Sequence, residues 1–336
     1  MELLFGNFRN CRSVYSGITV RFGPEYAASG KADDFGFVTN ELLDYYQEKT
    51  DGGHIGLVIV EHAFIRQDGK ASHRQLSIAC DHTFEGLSKL ASLIKSNGSR
   101  AVLQANHAGN KASPVITDSI TVTPWMDDNQ AKDLAFHQLS ESDIDDLICN
   151  FTDAARRAKE AGFDGIEIHS AHGYLLNQFY SPLTNKRKDS FGGTLLNRIR
   201  IHARIIKNIR EELGPAFAIL LRLGASDYRK GGTTIEHSIA AAKALNDSGL
   251  DILDISGGIS GYNIPELSGQ GFFAPLTTAI KQKVNIPLIL TGGITDASFA
   301  NELISSGKTD LVGVGRAILN DSNWARNALQ SDNFTK

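Results

Sequence analysis

The sequence predicts an α/β chain folded as a single (β/α)8 TIM barrel, and three observations predict it. Eight short, nearly continuous apolar runs alternate with longer amphipathic segments along the 336 residues. No tract rich in Pro, Gly and Ser divides the chain, so one domain over 1–336 is expected. Most of the runs finish on a polar residue or a glycine, although their interiors are apolar. Strands buried on both faces of a parallel sheet read this way. Eight β-then-α units suit a barrel better than a doubly wound sheet.

In chain order the predicted strands are 13–19, 55–62, 101–107, 165–169, 217–223, 251–256, 287–293 and 311–316. The clearest helix opens at Ser140, where Asp143 three residues on resembles a capping box. Ile144, Leu147, Ile148, Phe151, Ala155 and Ala158 recur at helical spacing, and Gly162 stops the run. "GTTIEHSIAAAKALNDSG" and "DASFANELISSG" repeat the pattern and end at Gly249 and Gly307. Two connections are long, 109–138 and 170–193. Connections of that length in a compact domain usually carry function.

Composition excludes several classes. Lys plus Arg total 34 against 38 Asp plus Glu, a net charge of −4, and no basic run appears. A nucleic-acid partner is therefore not expected. Cys11, Cys80 and Cys149 are too few and too scattered for a disulfide framework or a thiolate metal cluster. The first residues lack the basic segment and long apolar run of a signal peptide, and no apolar stretch reaches the ~18 residues of a membrane span. A cytoplasmic protein with no membrane partner is expected.

A barrel keeps its active site at the carboxyl ends of its strands. The runs end on Thr19, His62, Gln104, His169, Arg222, Ser256, Gly292–Gly293 and Gly315–Arg316. "TGGI" and "GVGR" on the last two runs read as a phosphate grip, since glycine lets backbone N–H groups approach a ligand and arginine adds a bidentate fork. The plainer reading is that these glycines only turn the chain. Gln104 offers a donor and an acceptor, as the imide edge of a flavin or a pyrimidine requires. Arg222 would stabilise anionic charge on a ring, or else pair with an acidic neighbour. In "IEIHSAHGYLLNQFYSP", His169, His172 and Tyr174 fall within six residues. Two imidazoles there are metal ligands or a donor pair for an enolate oxygen, with Tyr174 as proton source. A third protein ligand for zinc is not evident, so no metal is expected. A Schiff-base aldolase would place a lysine at a strand end, and none of the eight has one.

The segment "IEIHSAHGYLLNQFYSPLTNKRKDSFGGTLLNR" closely resembles the signature of the Old Yellow Enzyme family of FMN-dependent NAD(P)H ene-reductases. The likeness continues through "LQANHAGNKA", "ILLRLGASDY", "ILTGGI" and "LVGVGRAILNDSNWA" and covers most of the chain. It implies a barrel with FMN at its mouth and NADH or NADPH as reductant. Ser16, Gly17, Ile18 and Thr19 would lie against the flavin, and His62 would stand where a small residue gives a backbone contact. Gln104 would meet the pyrimidine edge and Arg222 flavin N1 and O2, while Gly292, Gly293, Gly315 and Arg316 would hold the phosphate. His169 and His172 would hold the electron-withdrawing oxygen of an activated alkene, and Tyr174 would protonate it, in a ping-pong cycle. Arg21, two positions past Thr19, hints at an anionic substrate; its alternative is a surface pair with Glu25 or Asp33. The partners implied are the alkene and the nicotinamide cofactor, with a homo-oligomer left open. Two other functions compete: a flavoprotein of this fold that oxidises an amine or alcohol, and a non-redox phosphate-binding barrel.

Overall fold

Alternation along the strands builds the barrel. In this computed structural model, which describes residues 18–21, 29–262, 264 and 267–330, the first two strands are β1 (Ile18–Arg21) and β2 (Leu57–Phe64), joined through helix α1 (Asn40–Thr50). Then come α2 (Phe84–Ser96), β3 (Arg100–Asn106), α3 (Pro114–Thr117), β4 (Thr121–Thr123), β5 (Phe136–Gln138) and α4 (Glu141–Glu160). β6 (Gly165–Ser170) leads to α5 (Leu175–Tyr180), α6 (Leu195–Arg198) and α7 (Arg200–Leu213). β7 (Ala218–Gly224), α8 (Ile235–Asp247), β8 (Ile252–Ser256), α9 (Ala274–Lys281), β9 (Leu288–Leu290) and α10 (Ala297–Ser305) follow. The last elements are β10 (Leu311–Val314), α11 (Arg316–Asn320) and α12 (Trp324–Gln330).

The main sheet is parallel and curled, in the order β1-β10-β9-β8-β7-β6-β3-β2, and β1 pairs with both β10 and β2 so that the order closes. Leu57, Ile59, Val102, Leu220, Ile252 and Ile289 form one buried cluster inside the ring. Their neighbours Val58, Val60, Leu103, Ile219, Leu221 and Leu253 belong to the larger cluster shared with the helices. This two-residue alternation is the strand period, and burial on both faces explains the unbroken apolar runs. Among the described residues no helix is long and apolar enough to cross a membrane.

Helix α4 forms as its sequence dictates. Ser140 Oγ accepts from the Asp143 N–H at 3.1 Å, and Asp143 Oδ2 accepts from the Ser140 N–H at 2.8 Å. Such a cap contributes ~1 kcal/mol. All six residues of the predicted apolar stripe are buried.

Two expectations on the strands are shifted. The first predicted strand falls largely outside the described residues, and Thr19, expected at its end, lies inside β1 opposite Leu57 and Gly313. β2 continues past His62 to Phe64 because a register shift between Val60 and His62 lets it pair further along β3. The connection 109–138 has structure of its own, α3 and a two-stranded parallel sheet of β4 and β5. The buried Arg187 from the following connection stabilises it, donating to Pro124 O at 2.7 Å and to Leu139 O while pairing with Asp189. An isolated ribbon of this length would be marginal without such a clamp.

Candidate active site

Continuing the inward alternation of β3, β6, β7 and β8 gives a polar layer above the apolar one. Gln104, Glu167, Arg222 and Asp254 occupy it, with His169 and Ser256 next towards the mouth. Gln104 Nε2 donates to Glu167 Oε2. Arg222 Nε stands 3.7 Å from Asp254 Oδ2, and its Nη2 donates to Ser256 Oγ at 3.3 Å. The acidic-neighbour reading of Arg222 is thus realised, and the guanidinium still reaches the strand ends.

His169 is buried and is the penultimate residue of β6. Its Nδ1 accepts from the Ala171 N–H at 3.3 Å, which assigns the ring proton to Nε2. His172 is a non-glycine residue at φ +59°, a left-handed conformation that costs roughly 1–2 kcal/mol. Three hydrogen bonds fix it there. Its N–H donates to Gly257 O at 3.1 Å, its carbonyl accepts from Lys111 Nζ at 2.6 Å, and its Nε2 meets Ser256 Oγ at 2.7 Å. Ser256 Oγ also accepts from Arg222, and the hydroxyl donates to His172 Nε2 when the imidazole carries its proton on Nδ1 and accepts from it when the proton is on Nε2. His169 therefore has a defined N–H, and His172 has a defined ring position with Nε2 engaged by Ser256.

The rings converge. His169 and His172 have centroids 5.2 Å apart and nearly perpendicular planes, and the Tyr174 ring is 5.0 Å from His169. Burial pushes the Tyr174 phenol above its ordinary value, with Arg222 opposing more weakly. His62 brings a third imidazole to the same mouth, 6.1 Å from His169 and 5.7 Å from Tyr174. Its Nδ1 accepts from Gln75 Nε2 at 2.7 Å, and the Gln75 Oε1 is held by the Ala71 N–H at 2.6 Å. Among the described residues no three His, Cys, Asp or Glu side chains are grouped to hold a metal ion.

A separate sector of the mouth lies beyond β9 and β10. Gly292 and Gly293 have φ of +118° and +68°. A Cβ on Gly293 would meet Gly269 O at 3.0 Å, a Phe272 carbon at 3.1 Å and Arg316 Nη2 at 3.4 Å. Gly293 and Arg316 are therefore neighbours, and backbone rather than side chain faces the space between them. Gly315 caps α11 directly before Arg316. An amide and a guanidinium on one side of the ring, with a glycine cradle and a second guanidinium on another, match the two ends of FMN. Ser16 and Gly17 lie outside the described residues. Ile18, Thr19 and Arg21 are described by backbone only, as part of β1, and Glu25 also lies outside.

Sequence reasoning passed over Glu167, Asp254, Gln75 and the bridging role of Ser256. Glu167 and Asp254 carried a signal, an acid inside an otherwise apolar strand, which means a buried charge in need of a partner. Gln75 carried none, because it reaches His62 from a distant connection.

A profile of the NADH:flavin oxidoreductase / NADH oxidase family matches residues 21–333. The chain is 38% identical over 275 residues to the NADPH dehydrogenase of Geobacillus sp. (strain WCH70), covering 81% of this chain and 78% of that enzyme. It is 37% identical over 308 residues to the NADH oxidase of Thermoanaerobacter brockii, covering 90% of this chain but 47% of that protein, and so spans about half its length. The old yellow enzyme homologue from Zymomonas mobilis superposes with a TM-score of 0.77 at 24% identity over 96% of this chain and 91% of that one. A 2-naphthoyl-CoA reductase in complex with 2-naphthoyl-CoA gives 0.84 at 23% identity over 92% of this chain and 49% of the other. At these identities the two structures speak for the fold. The family profile and the dehydrogenase relatives set aside a non-redox barrel: the chain belongs to the NADH:flavin oxidoreductase / NADH oxidase family and is an FMN-dependent oxidoreductase with NADH or NADPH as reductant.

Proposed function

We propose that this protein is an ene-reductase, a single (β/α)8 TIM-barrel domain of the cytoplasm that reduces the C=C bond of α,β-unsaturated carbonyl compounds or related activated alkenes. The observation that carries the reading is the convergence of two imidazoles and a phenol at the mouth: His169, with its proton on Nε2, and His172, held by Ser256, beside a protonated Tyr174. FMN, when bound, would supply the redox chemistry of a ping-pong cycle, hydride uptake from NADH or NADPH and hydride donation through its N5 to the alkene β-carbon.

The chain's own residues do the rest. His169 and His172 hold the substrate oxygen and stabilise the negative charge that grows on it, an effect of several kcal/mol for preorganised donors. Tyr174 gives its proton to the α-carbon, and its burial keeps that proton in place until it is needed. Arg222 and Gln104 would hold the polar edge of the flavin, Gly292, Gly293, Gly315 and Arg316 its phosphate, and the β1 segment around Ser16, Gly17, Ile18 and Thr19 its face. His62 stands at the ring's edge, and Arg21 remains a candidate substrate contact.

The purified protein should be yellow and lose its flavin absorbance on addition of NADH or NADPH. Tyr174→Phe should keep that reduction but slow anaerobic reoxidation by 2-cyclohexenone. Equal reoxidation rates in the two proteins would remove Tyr174 from the mechanism, and a reduced flavin that no enone reoxidises would overturn the ene-reductase reading.

A further inference from the structure

Two cations meet at the rim of the mouth from different connections. Lys111 follows β3 and Arg229 follows β7. The Lys111 amine donates to the His172 carbonyl at 2.6 Å and lies 5.9 Å from the centre of the Tyr174 ring. Gly173 makes room for it, since a Cβ there would stand 2.9 Å from Lys111 Cε and 3.0 Å from Nζ. Arg229 is held from the other side. Its Nε donates to Ser260 Oγ at 3.0 Å, and Ser260 Oγ donates to Asp227 O at 2.6 Å. Asp227 is itself buried, its carboxylate accepting from Ser181 Oγ, the Thr233 N–H and the Ile259 N–H. Tyr228, between Asp227 and Arg229, turns the chain outward at φ +50°.

Both cations keep to neutral partners, a carbonyl and a hydroxyl; neither makes an ion pair with a carboxylate among the described residues. Lys111 titrates below its ordinary range, first because its amine is tucked against the protein and second because Arg229 is near. Like charges held together without a counterion favour an anion between them.

We propose that Lys111 and Arg229 form an anion subsite beside Tyr174, so that the alkene reduced here carries a carboxylate or phosphate near its reacting carbons. The proposal rests on the ene-reductase reading and adds the substrate class. The same two cations would also suit a phosphate of the nicotinamide cofactor, but their place argues for the substrate. Lys111 lies against the proton donor itself, whereas in a dinucleotide the phosphates are separated from the nicotinamide ring by a ribose, and the 2′-phosphate by most of the molecule.

The test uses the FMN-loaded enzyme with (E)-4-oxopent-2-enoate and its methyl ester, the same enone with and without charge. The wild type should favour the carboxylate in kcat/KM. Arg229→Gln should reduce the acid-to-ester ratio about tenfold or more, mainly through KM, and Arg229→Lys should recover part of it. An unchanged ratio overturns the proposal. So does a rise in KM for NADPH without a change for the enoate, since the anion would then be the cofactor's. Calorimetric binding of saturated 4-oxopentanoate separates this proposal from the reading beneath it. If no alkene is reduced yet that binding still depends on Arg229, the subsite stands and the ene-reductase reading falls.

Discussion

Replacing Ser256 by alanine tests whether the protein, rather than the substrate, places the proton on His172. Ser256 is buried at the end of β8. Its oxygen accepts from Arg222 Nη2 at 3.3 Å and lies 2.7 Å from His172 Nε2, and in the proposed mechanism its one proton goes to that nitrogen, which leaves the imidazole proton on Nδ1. Alanine removes only that oxygen. A half-buried ring nitrogen left without a partner costs up to about 1 kcal/mol, below the penalty of a fully buried group. His172 can relieve that cost by carrying its proton on Nε2, which turns Nδ1 from donor to acceptor. One donor to a developing oxyanion is worth roughly a hundredfold to a thousandfold in rate. A partial tautomer shift forfeits less, so reoxidation by an enone should slow by about ten- to several-hundredfold. Anaerobic stopped-flow absorbance separates the two half-reactions, and reduction by the nicotinamide should change much less. Reoxidation within twofold of wild type would refute the tautomer argument. Equal slowing of both half-reactions would also refute it, because the loss would then act through Arg222 and not His172.

Three further outcomes follow from particular residues. Burial holds the Tyr174 phenol above the ordinary phenol value of about 10. Its proton should therefore persist, and reoxidation should stay level from neutrality past pH 10; a midpoint below pH 9 would contradict this. Gly293→Ala places a Cβ at φ +68° against Gly269 O, a strain of about 1–3 kcal/mol. FMN should bind roughly tenfold more weakly by fluorescence titration, and an unchanged Kd would take this glycine out of the phosphate grip. Glu61 is buried, and burial raises its carboxyl to about 7. Between its ordinary value near 4.5 and 7 the native state holds a proton that the unfolded chain has released, so stability falls as pH rises through that window, by up to ~3 kcal/mol. Glu61→Gln should escape this loss, and its advantage in Tm over wild type should be larger at pH 8 than at pH 5. The same difference at both values would mean that Glu61 is not the group responsible.

The parts of this fold that were legible in the sequence are those set by local periodicity. Apolar runs marked the strands because parallel strands are buried on both faces, and the α4 stripe with its Ser140–Asp143 box gave a helix start that the backbone obeys. Strand ends were legible only to within a few residues, and β2 shows why. A register shift is a property of a strand pair, and neither 55–64 nor 100–106 encodes it alone. The small β4–β5 sheet was hidden for the same reason, since its clamp, Arg187, sits more than sixty residues from Pro124. At the site, His169, His172 and Tyr174 announced themselves by clustering in sequence. Gln75, Lys111 and Arg229 did not, because they join that cluster only through the closure of the ring.

The polar layer links two tasks that the sequence presented separately. Arg222 was legible as a cation for an electron-rich ring, and the His169–His172 pair as a clamp for a substrate oxygen. In the structure one guanidinium serves both. Its charge is shared with Asp254 at 3.7 Å, so what it presents at the mouth is less than a bare cation. Its Nη2 fixes the Ser256 hydroxyl, and that hydroxyl orients His172. A change of charge felt by Arg222 would therefore reach the imidazole through one rotatable O–H. Removing Asp254 would free more of the guanidinium's charge and draw the Ser256 oxygen harder, with the same hydroxyl still in place. Removing Ser256 would leave Arg222 and Asp254 paired and cut the connection to His172. The two substitutions should therefore differ in kind: Asp254→Asn should act on flavin reduction and reoxidation together, and Ser256→Ala mainly on reoxidation.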